Sequence, residues 1–280
     1  MTDSASCVSF SIIGCIIRVS IESAYLRAIL LKMYGNMQLP DNDNVAAIEY
    51  EIKLLDSEFF QVSISRAGCA DLNAYDIGEF IFLFEKDMTI EVQKLRPDLL
   101  FIHSAALAYQ GRGLLLVAPS GTGKSTTSWV MLNCGFNYLS DELAPLDLNA
   151  MRIEPYPHAL CLKAEPPVYP LPQSSLMTTR TIHVPINIEK KHANLASVSL
   201  DYVFYLEFDE NIIEPVITQI TTAQASAKLY ANSLNILAHE QGEKGIQAAI
   251  SVARRVNNYI LKSNDLNKTC KQVQLLIDTD

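Results

Sequence analysis

The passage from Leu114 to Asn133 restricts the fold of this chain more than any other. Leu114-Leu115-Leu116-Val117 has the continuous apolar character of a strand buried on both faces. It runs directly into Ala118-Pro119-Ser120-Gly121-Thr122-Gly123-Lys124-Ser125. Trp129, Val130 and Leu132 then mark a short apolar helix from Lys124 to about Asn133. Strand, glycine loop and helix in immediate succession predict an α/β core. The loop also carries chemistry. Gly121 and Gly123 tolerate positive φ, which lets successive N–H groups turn inward around a phosphate. The helix that starts at Lys124 points its positive dipole end at the same anion. Lys124 is suited to neutralise β- and γ-phosphates, and the Ser125 hydroxyl to ligate Mg²⁺. Ser120, Thr122 and Thr126 complete the loop residues expected to contact a nucleoside triphosphate.

Tyr138-Leu139-Ser140-Asp141-Glu142-Leu143 is the second feature, and Asp141 lies only 17 positions after Lys124. That interval holds one short helix and one strand, so the carboxylates fall at the end of the very next strand. There a carboxylate can hold Mg²⁺ or accept the proton of an attacking hydroxyl. Adjacent residues alternate faces in a strand, so the two acids divide the work. Asp141 is assigned as base or metal-side carboxylate, with Glu142 assisting the metal. His103 interrupts the apolar run from Leu99 to Tyr109, where an imidazole is ordinarily a hydrogen-bonded core residue. Lys163 either reaches phosphate or is an exposed strand-end lysine. Arg180, His183 and Arg254-Arg255 are expected to be solvated, and His158, His192 and His239 are expected at the surface, sharing no metal spacing.

The rest of the chain divides into a small N-terminal α+β module over residues 1–95 and a phosphate-binding domain over 96–280. In the module, residues 8–20 suit a strand, and Tyr25 to Tyr34 carries helical spacing. A loop from Leu39 to Asn44 precedes strands at Ile48–Leu54 and Val62–Ile64, and a helix runs from Tyr75 to about Leu95. In the second domain, Gln110-Gly111-Arg112-Gly113 is a hairpin-like turn. The proline-rich stretch from Pro155 to Pro172 is expected as a long surface loop. Strands are expected at Tyr202–Phe208 and Pro215–Ile220, and helices at 222–240 and 243–262.

Composition excludes some classes. With 31 acidic against 22 basic residues, a net charge of −9 leaves no basic stripe for nucleic acid. No run approaches the ~18 uninterrupted apolar residues of a membrane span. The N-terminus lacks the basic start of a signal peptide. The six cysteines show no CxxC pair, so buried thiols in a cytoplasmic protein are expected.

His103 in Phe101-Ile102-His103-Ser104-Ala105-Ala106, the loop Ser120–Ser125 and Ser140-Asp141-Glu142 together resemble the catalytic domain of HPr serine kinase/phosphorylase and its kinase-like relatives. The match spans roughly residues 97–165. The resemblance implies a mixed-sheet P-loop domain of the type shared with phosphoenolpyruvate carboxykinase. It further implies ATP and Mg²⁺ as cofactors, with Asp141 as general base, Glu142 as the metal-side acid and His103 beside them. The chain departs from the family in having Glu142 where a second Asp is usual. Arg152-Ile153-Glu154-Pro155-Tyr156-Pro157 stands where the family has an Arg-Gly-x-Gly signature. The resemblance therefore points to divergent homologues that phosphorylate a serine on a ribosomal precursor peptide, such as a lasso-peptide precursor, and to a homo-oligomer. A free-serine kinase, a carboxykinase-like lyase and a non-catalytic nucleotide-binding regulator are the competing classes.

Overall fold

A computed structural model describes residues 6–40, 45–186, 196–234 and 242–280. Two compact units result. The first comprises residues 1–97 together with 161–165 and 172–185, and the second holds the remainder. The two short returning segments were expected in the second domain.

The first unit begins with a hairpin, β1 (Ser6–Ile12) and β2 (Cys15–Ile21), where one strand was expected. Ile13 and Gly14 both take positive φ, 50° and 77°, which makes the two-residue turn. The helix α1 (Ala24–Tyr34) is capped by the Ser23 hydroxyl, which accepts from the Leu26 N–H. A 3₁₀ turn (Gly35–Met37) leads into β3 (Gln38–Leu39), and β4 (Ile48–Asp56), β5 (Gln61–Arg66) and β6 (Leu72–Ala74) complete a sheet ordered β3-β1-β2-β4-β5-β6. The helix α2 (Ile77–Leu95) lies with α1 on one face of that sheet, because Phe84 meets both Tyr34 (ring centroids 5.9 Å apart) and Tyr50 of β4 (5.0 Å).

A polar clasp joins α2 to the same sheet. Tyr50 Oη donates to Asp87 Oδ2 at 2.7 Å, and Arg66 Nε donates to the same oxygen at 2.8 Å. Burial would raise the Asp87 pKa, but the hydrogen bonds from Arg66 and Tyr50 and the charge on Arg66 outweigh it and hold it below the ordinary carboxylate value. A depressed carboxylate stabilises the fold above its unfolded pKa of about 4 and loses that contribution as pH falls below it. Asp87→Asn is expected to cost about 1.5–3 kcal/mol in urea unfolding at pH 7, the worth of hydrogen bonds to a charged group. The gap between variant and wild type is expected to close as the unfolding is repeated toward pH 3.

In the second unit the apolar run 99–109 is two strands, β7 (Leu99–Ile102) and β8 (Ser104–Tyr109), broken by a bend at His103. A tight turn at Gln110-Gly111 leads into β9 (Arg112–Val117), followed by α3 (Lys124–Asn133), β10 (Asn137–Ser140), β11 (Ala144–Asp147) and β12 (Arg152–Ile153). Three short strands, β13 (Leu160–Leu162), β14 (Leu176–Met177) and β15 (Ile182–Val184), form a sheet ordered β13-β15-β14 that belongs, from Cys161 onward, to the first unit. The second unit resumes with β16 (Val198–Phe208), β17 (Val216–Gln219), α4 (Thr222–Ala231), α5 (Gly242–Arg255), β18 (Asn257–Ser263) and α6 (Leu266–Thr279). The predicted helix over 243–262 therefore ends at Arg255, and its last part is a strand; α6 was not anticipated. Residues 235–240 of the other predicted helix lie outside the described residues.

The long strand β16 organises this unit. It pairs in parallel with β9 on one side and with β18 on the other. Gly113 makes the β9 approach possible, since an added Cβ would sit 2.4 Å from the Ser199 carbonyl oxygen. On one sheet face Leu115, Val117, Val203 and Tyr205 pack with Ala225 and Leu229 of α4 and with Ala249 and Val252 of α5. The helix α3 packs against β8, β10 and α6. The proline-rich stretch is not uniformly a surface loop. Residues 156–160 are buried, because the Tyr156 N–H pairs with the Leu139 carbonyl and the Glu154 N–H with that of Pro145. No helix among the described residues is long and apolar enough to cross a membrane. The six cysteines are free, although Cys7 and Cys69 are exposed rather than buried.

Candidate functional site

The glycine loop joins β9 to α3 at the C-terminal edge of three parallel strands, β9, β16 and β18. Ligands of open α/β sheets collect at this edge, because strand ends diverge there and helix N-termini point into the gap. Gly121 and Gly123 take φ of 88° and 94°, and a Cβ added at either would meet nothing within 4 Å. Gly123 occupies the N-cap of α3, so no side chain caps the first-turn amides. These features fit an anion cradle, and on this ground the loop suits a triphosphate. Ser120 is exposed, and Thr122, Ser125 and Thr126 are partly exposed around the cradle.

Lys124, the first residue of α3, is 6% exposed. Its Nζ donates to the Ala118 carbonyl at 2.7 Å, to the Pro119 carbonyl at 3.4 Å and toward His103 Nε2 at 3.1 Å. An ammonium can only donate, so Nε2 of His103 is the acceptor. The proton of a neutral ring then sits on Nδ1, which lies 3.1 Å from the Glu142 carbonyl oxygen and donates to it. The His103 backbone N–H is itself fixed by the Asn232 carbonyl at 2.7 Å. One imidazole thus connects the lysine of the loop to the main chain of the acidic turn.

That turn lies just past β10, since the strand ends at Ser140 and neither acid belongs to it. The Leu143 N–H bonds the Asp141 carbonyl at 2.8 Å, and Glu142 between them takes φ of 66°. This is a γ-turn with the positive φ of the rarer, strained form, which costs on the order of 1–3 kcal/mol unless its surroundings hold it. The bond from His103 to the Glu142 carbonyl is one restraint. A second comes from His158, whose Nε2 lies 2.9 Å from the Asp141 carbonyl. The consequence for the side chains is a division by exposure: Asp141 is fully buried and Glu142 is exposed.

The structure therefore brings together Lys124, His103 and the backbone of Asp141-Glu142. It corrects the placement of two histidines. His158, expected at the surface, is 3% exposed and stacks near Tyr156 with ring centroids 4.4 Å apart. Its apolar setting, Tyr156-Pro157-His158-Ala159-Leu160, was the signal that pointed inward. His183, expected in solvent, is 5% exposed in the first unit, with Thr181 Oγ1 2.9 Å from its Nε2. Arg180 and Lys163 are exposed in that same unit. Arg255 donates to the Leu148 carbonyl at 2.9 Å, anchoring a turn rather than only facing solvent. His192 and His239 lie outside the described residues. Among the described residues no group of three or more His, Cys, Asp or Glu side chains is arranged to hold a metal. Magnesium needs no such group when phosphate oxygens supply ligands beside one or two carboxylates.

No family model matches the chain, and no curated protein matches it. Among solved structures, the chain is similar to the HPr(Ser) kinase/phosphatase from Coxiella burnetii, at 14% identity over 64% of this chain and 99% of that one. The TM-score is 0.33, too low for the likeness to carry weight for fold or function.

Proposed function

We propose that this chain is an ATP- and Mg²⁺-dependent kinase of the HPr kinase/phosphoenolpyruvate carboxykinase-like type. Its reaction is transfer of the γ-phosphoryl group to a serine hydroxyl on a peptide or small protein, a ribosomal precursor peptide included. The observation that carries this reading is the chain of contacts from Lys124 through His103 to the Asp141-Glu142 turn. A generic phosphate-binding loop needs no imidazole connecting its lysine to a pair of acids. A phosphoryl-transfer site does need its donor grip and its acceptor base held in fixed relation, because positioning and charge neutralisation supply most of the rate.

In this reading the amides of Gly121 to Ser125 and the Lys124 ammonium hold the β- and γ-phosphates. Ser125 with the carboxylate of Glu142, the exposed acid of the turn, would hold Mg²⁺, which when bound would spread the negative charge of the phosphates. Asp141 accepts the proton of the serine hydroxyl as its oxygen attacks phosphorus. His103 keeps its Nε2 turned to Lys124 and its Nδ1 proton on the turn, so that the lysine and the acids cannot drift apart.

Transfer from γ-labelled ATP decides between acceptors. Label is expected in a serine-containing peptide and not in free serine; label in free serine alone would make the chain a small-molecule kinase. One observation favours a second reading. The complete burial of Asp141 leaves the base without access to an acceptor unless the turn opens, which suits a non-catalytic nucleotide-dependent regulator. ATP bound at stoichiometry, with no label transferred to any acceptor or to water, would establish that reading instead.

A further inference from the structure

Cys134 caps the C-terminal end of α3, opposite the glycine loop, and Cys270 lies in the second turn of α6. The main chain of Cys134 is held from two sides. Its N–H bonds the Val130 carbonyl of α3 at 3.0 Å, and its carbonyl accepts from Gln274 Nε2 of α6 at 2.8 Å. Asn267, Cys270 and Gln274 stand at i, i+3 and i+7, which is one stripe of α6. The other end of that stripe is fixed as well, because Tyr169 Oη donates to Asn267 at 3.1 Å while the Trp129 indole N–H of α3 donates to the Tyr169 carbonyl at 2.9 Å. Cys270 sits between these two anchors, facing the end of α3. The Cys270 thiol is hydrogen-bonded to the Cys134 thiol, and the Tyr169 hydroxyl to Cys134 from the other side. Phenol and two thiols thus form a short row within the second unit.

We propose that Cys134 and Cys270 are a redox-active dithiol, which a small disulfide oxidises to an intrachain disulfide that locks α3 onto α6. Neighbouring thiols can serve merely as small apolar filling, and Cys270, fully enclosed, would do so by itself. Cys134 does not fit that role. It is only partly buried, it ends a helix, and on its outer side it meets the hydroxyl of Tyr169, a residue 37% exposed. One reachable sulfur with a second enclosed behind it is what thiol–disulfide exchange requires: the first attacks, the second resolves.

The exchange runs in two steps. The Cys134 thiolate attacks one sulfur of the small disulfide, the S–S bond breaks, and one small thiolate leaves with the electron pair. Cys270 then gives up its proton and its sulfur attacks that of Cys134, expelling the second small thiolate, which takes up a proton. Two protein thiols are oxidised and one small disulfide is reduced to two thiols. Burial pushes the Cys270 thiol up, so its proton is released late and closure is the slower step. The new bond closes a loop of 136 positions, long enough to restrict the unfolded chain strongly.

The test uses the full chain carrying Cys7→Ser and Cys69→Ser, since those two exposed thiols would react in any fold. It is incubated with oxidised glutathione, remaining thiols are blocked, and peptides are mapped by mass spectrometry. The expected product is a Cys134–Cys270 linked peptide in a chain lighter by two hydrogens, reversed by dithiothreitol. Added Cys270→Ser is expected to retain glutathione on Cys134, and added Cys134→Ser to leave Cys270 unmodified. The linked chain is expected to unfold at least about 5 °C above the reduced one. Glutathione that stays on Cys134 while Cys270 is present, a Cys134 that does not react, or a link from Cys134 to another cysteine overturns the dithiol. A Cys134–Cys270 link with no rise in the unfolding midpoint overturns the lock. The first readout leaves both residues unchanged, so a folding defect in Cys270→Ser cannot decide the outcome.

Discussion

Lys124→Ala is expected to lower kcat/KM for phosphoryl transfer by about 10²–10³-fold, equivalent to ~3–4 kcal/mol of lost transition-state stabilisation. The side chain is 6% exposed and its three N–H donors are aimed at Ala118, Pro119 and His103. Its charge is therefore already in place before phosphate arrives, and little reorganisation is required when negative charge builds on the transferring group. A phosphate oxygen carries a full negative charge, which makes it a stronger acceptor than the Ala118 and Pro119 carbonyls. Nucleotide affinity is expected to fall together with turnover. Steady-state kinetics beside calorimetric ATP binding checks both, with a thermal melt to show that the fold survives. A variant that retains turnover would remove the loop from the mechanism.

Asp141→Asn is expected to separate binding from chemistry. Amide and carboxylate have nearly the same shape, so the γ-turn, the His158 contact to the Asp141 carbonyl and the His103 contact to the Glu142 carbonyl should persist. ATP binding should then be nearly unchanged while transfer falls about 10²–10⁴-fold, the usual worth of a general base. The measurement is single-turnover transfer from labelled ATP at saturating nucleotide. Glu142→Gln is the informative companion, because Glu142 is exposed and Asp141 is not. Full activity in Asp141→Asn together with loss in Glu142→Gln would move the base to the exposed acid.

Local signals carried a good share of the fold. The apolar alternation of Ile48, Tyr50 and Ile52 placed β4, and the spacing of Leu26, Ile29, Leu30 and Met33 placed α1, since each buries one face against a single neighbouring layer. The expectation failed where periodicity is weak or a turn lacks its customary residues. Ile13-Gly14 turns a chain that alternates on both sides, so the hairpin looked like one strand. The strand β18 follows α5 after only Val256, with Arg254, Arg255 and two asparagines around the junction, and no proline or glycine marks the change. It is a strand because β16 offers a parallel edge on one side and β17 an antiparallel one on the other. That reason is not written in residues 257–263.

The candidate site divides along the same line. The sequence by itself determined the glycine loop, because conformational freedom at Gly121 and Gly123, a strand before them and a helix after them are all local properties. It also determined the residue types available for charge, Lys124, Asp141 and Glu142. Only the tertiary structure decided which of the acids is enclosed, that His103 bonds Lys124 on one nitrogen and the acidic turn on the other, and that His158 is an inner residue of the same turn. These are contacts between segments 17 to 39 positions apart, made where β7 ends at Ile102, β8 begins at Ser104 and β10 ends at Ser140.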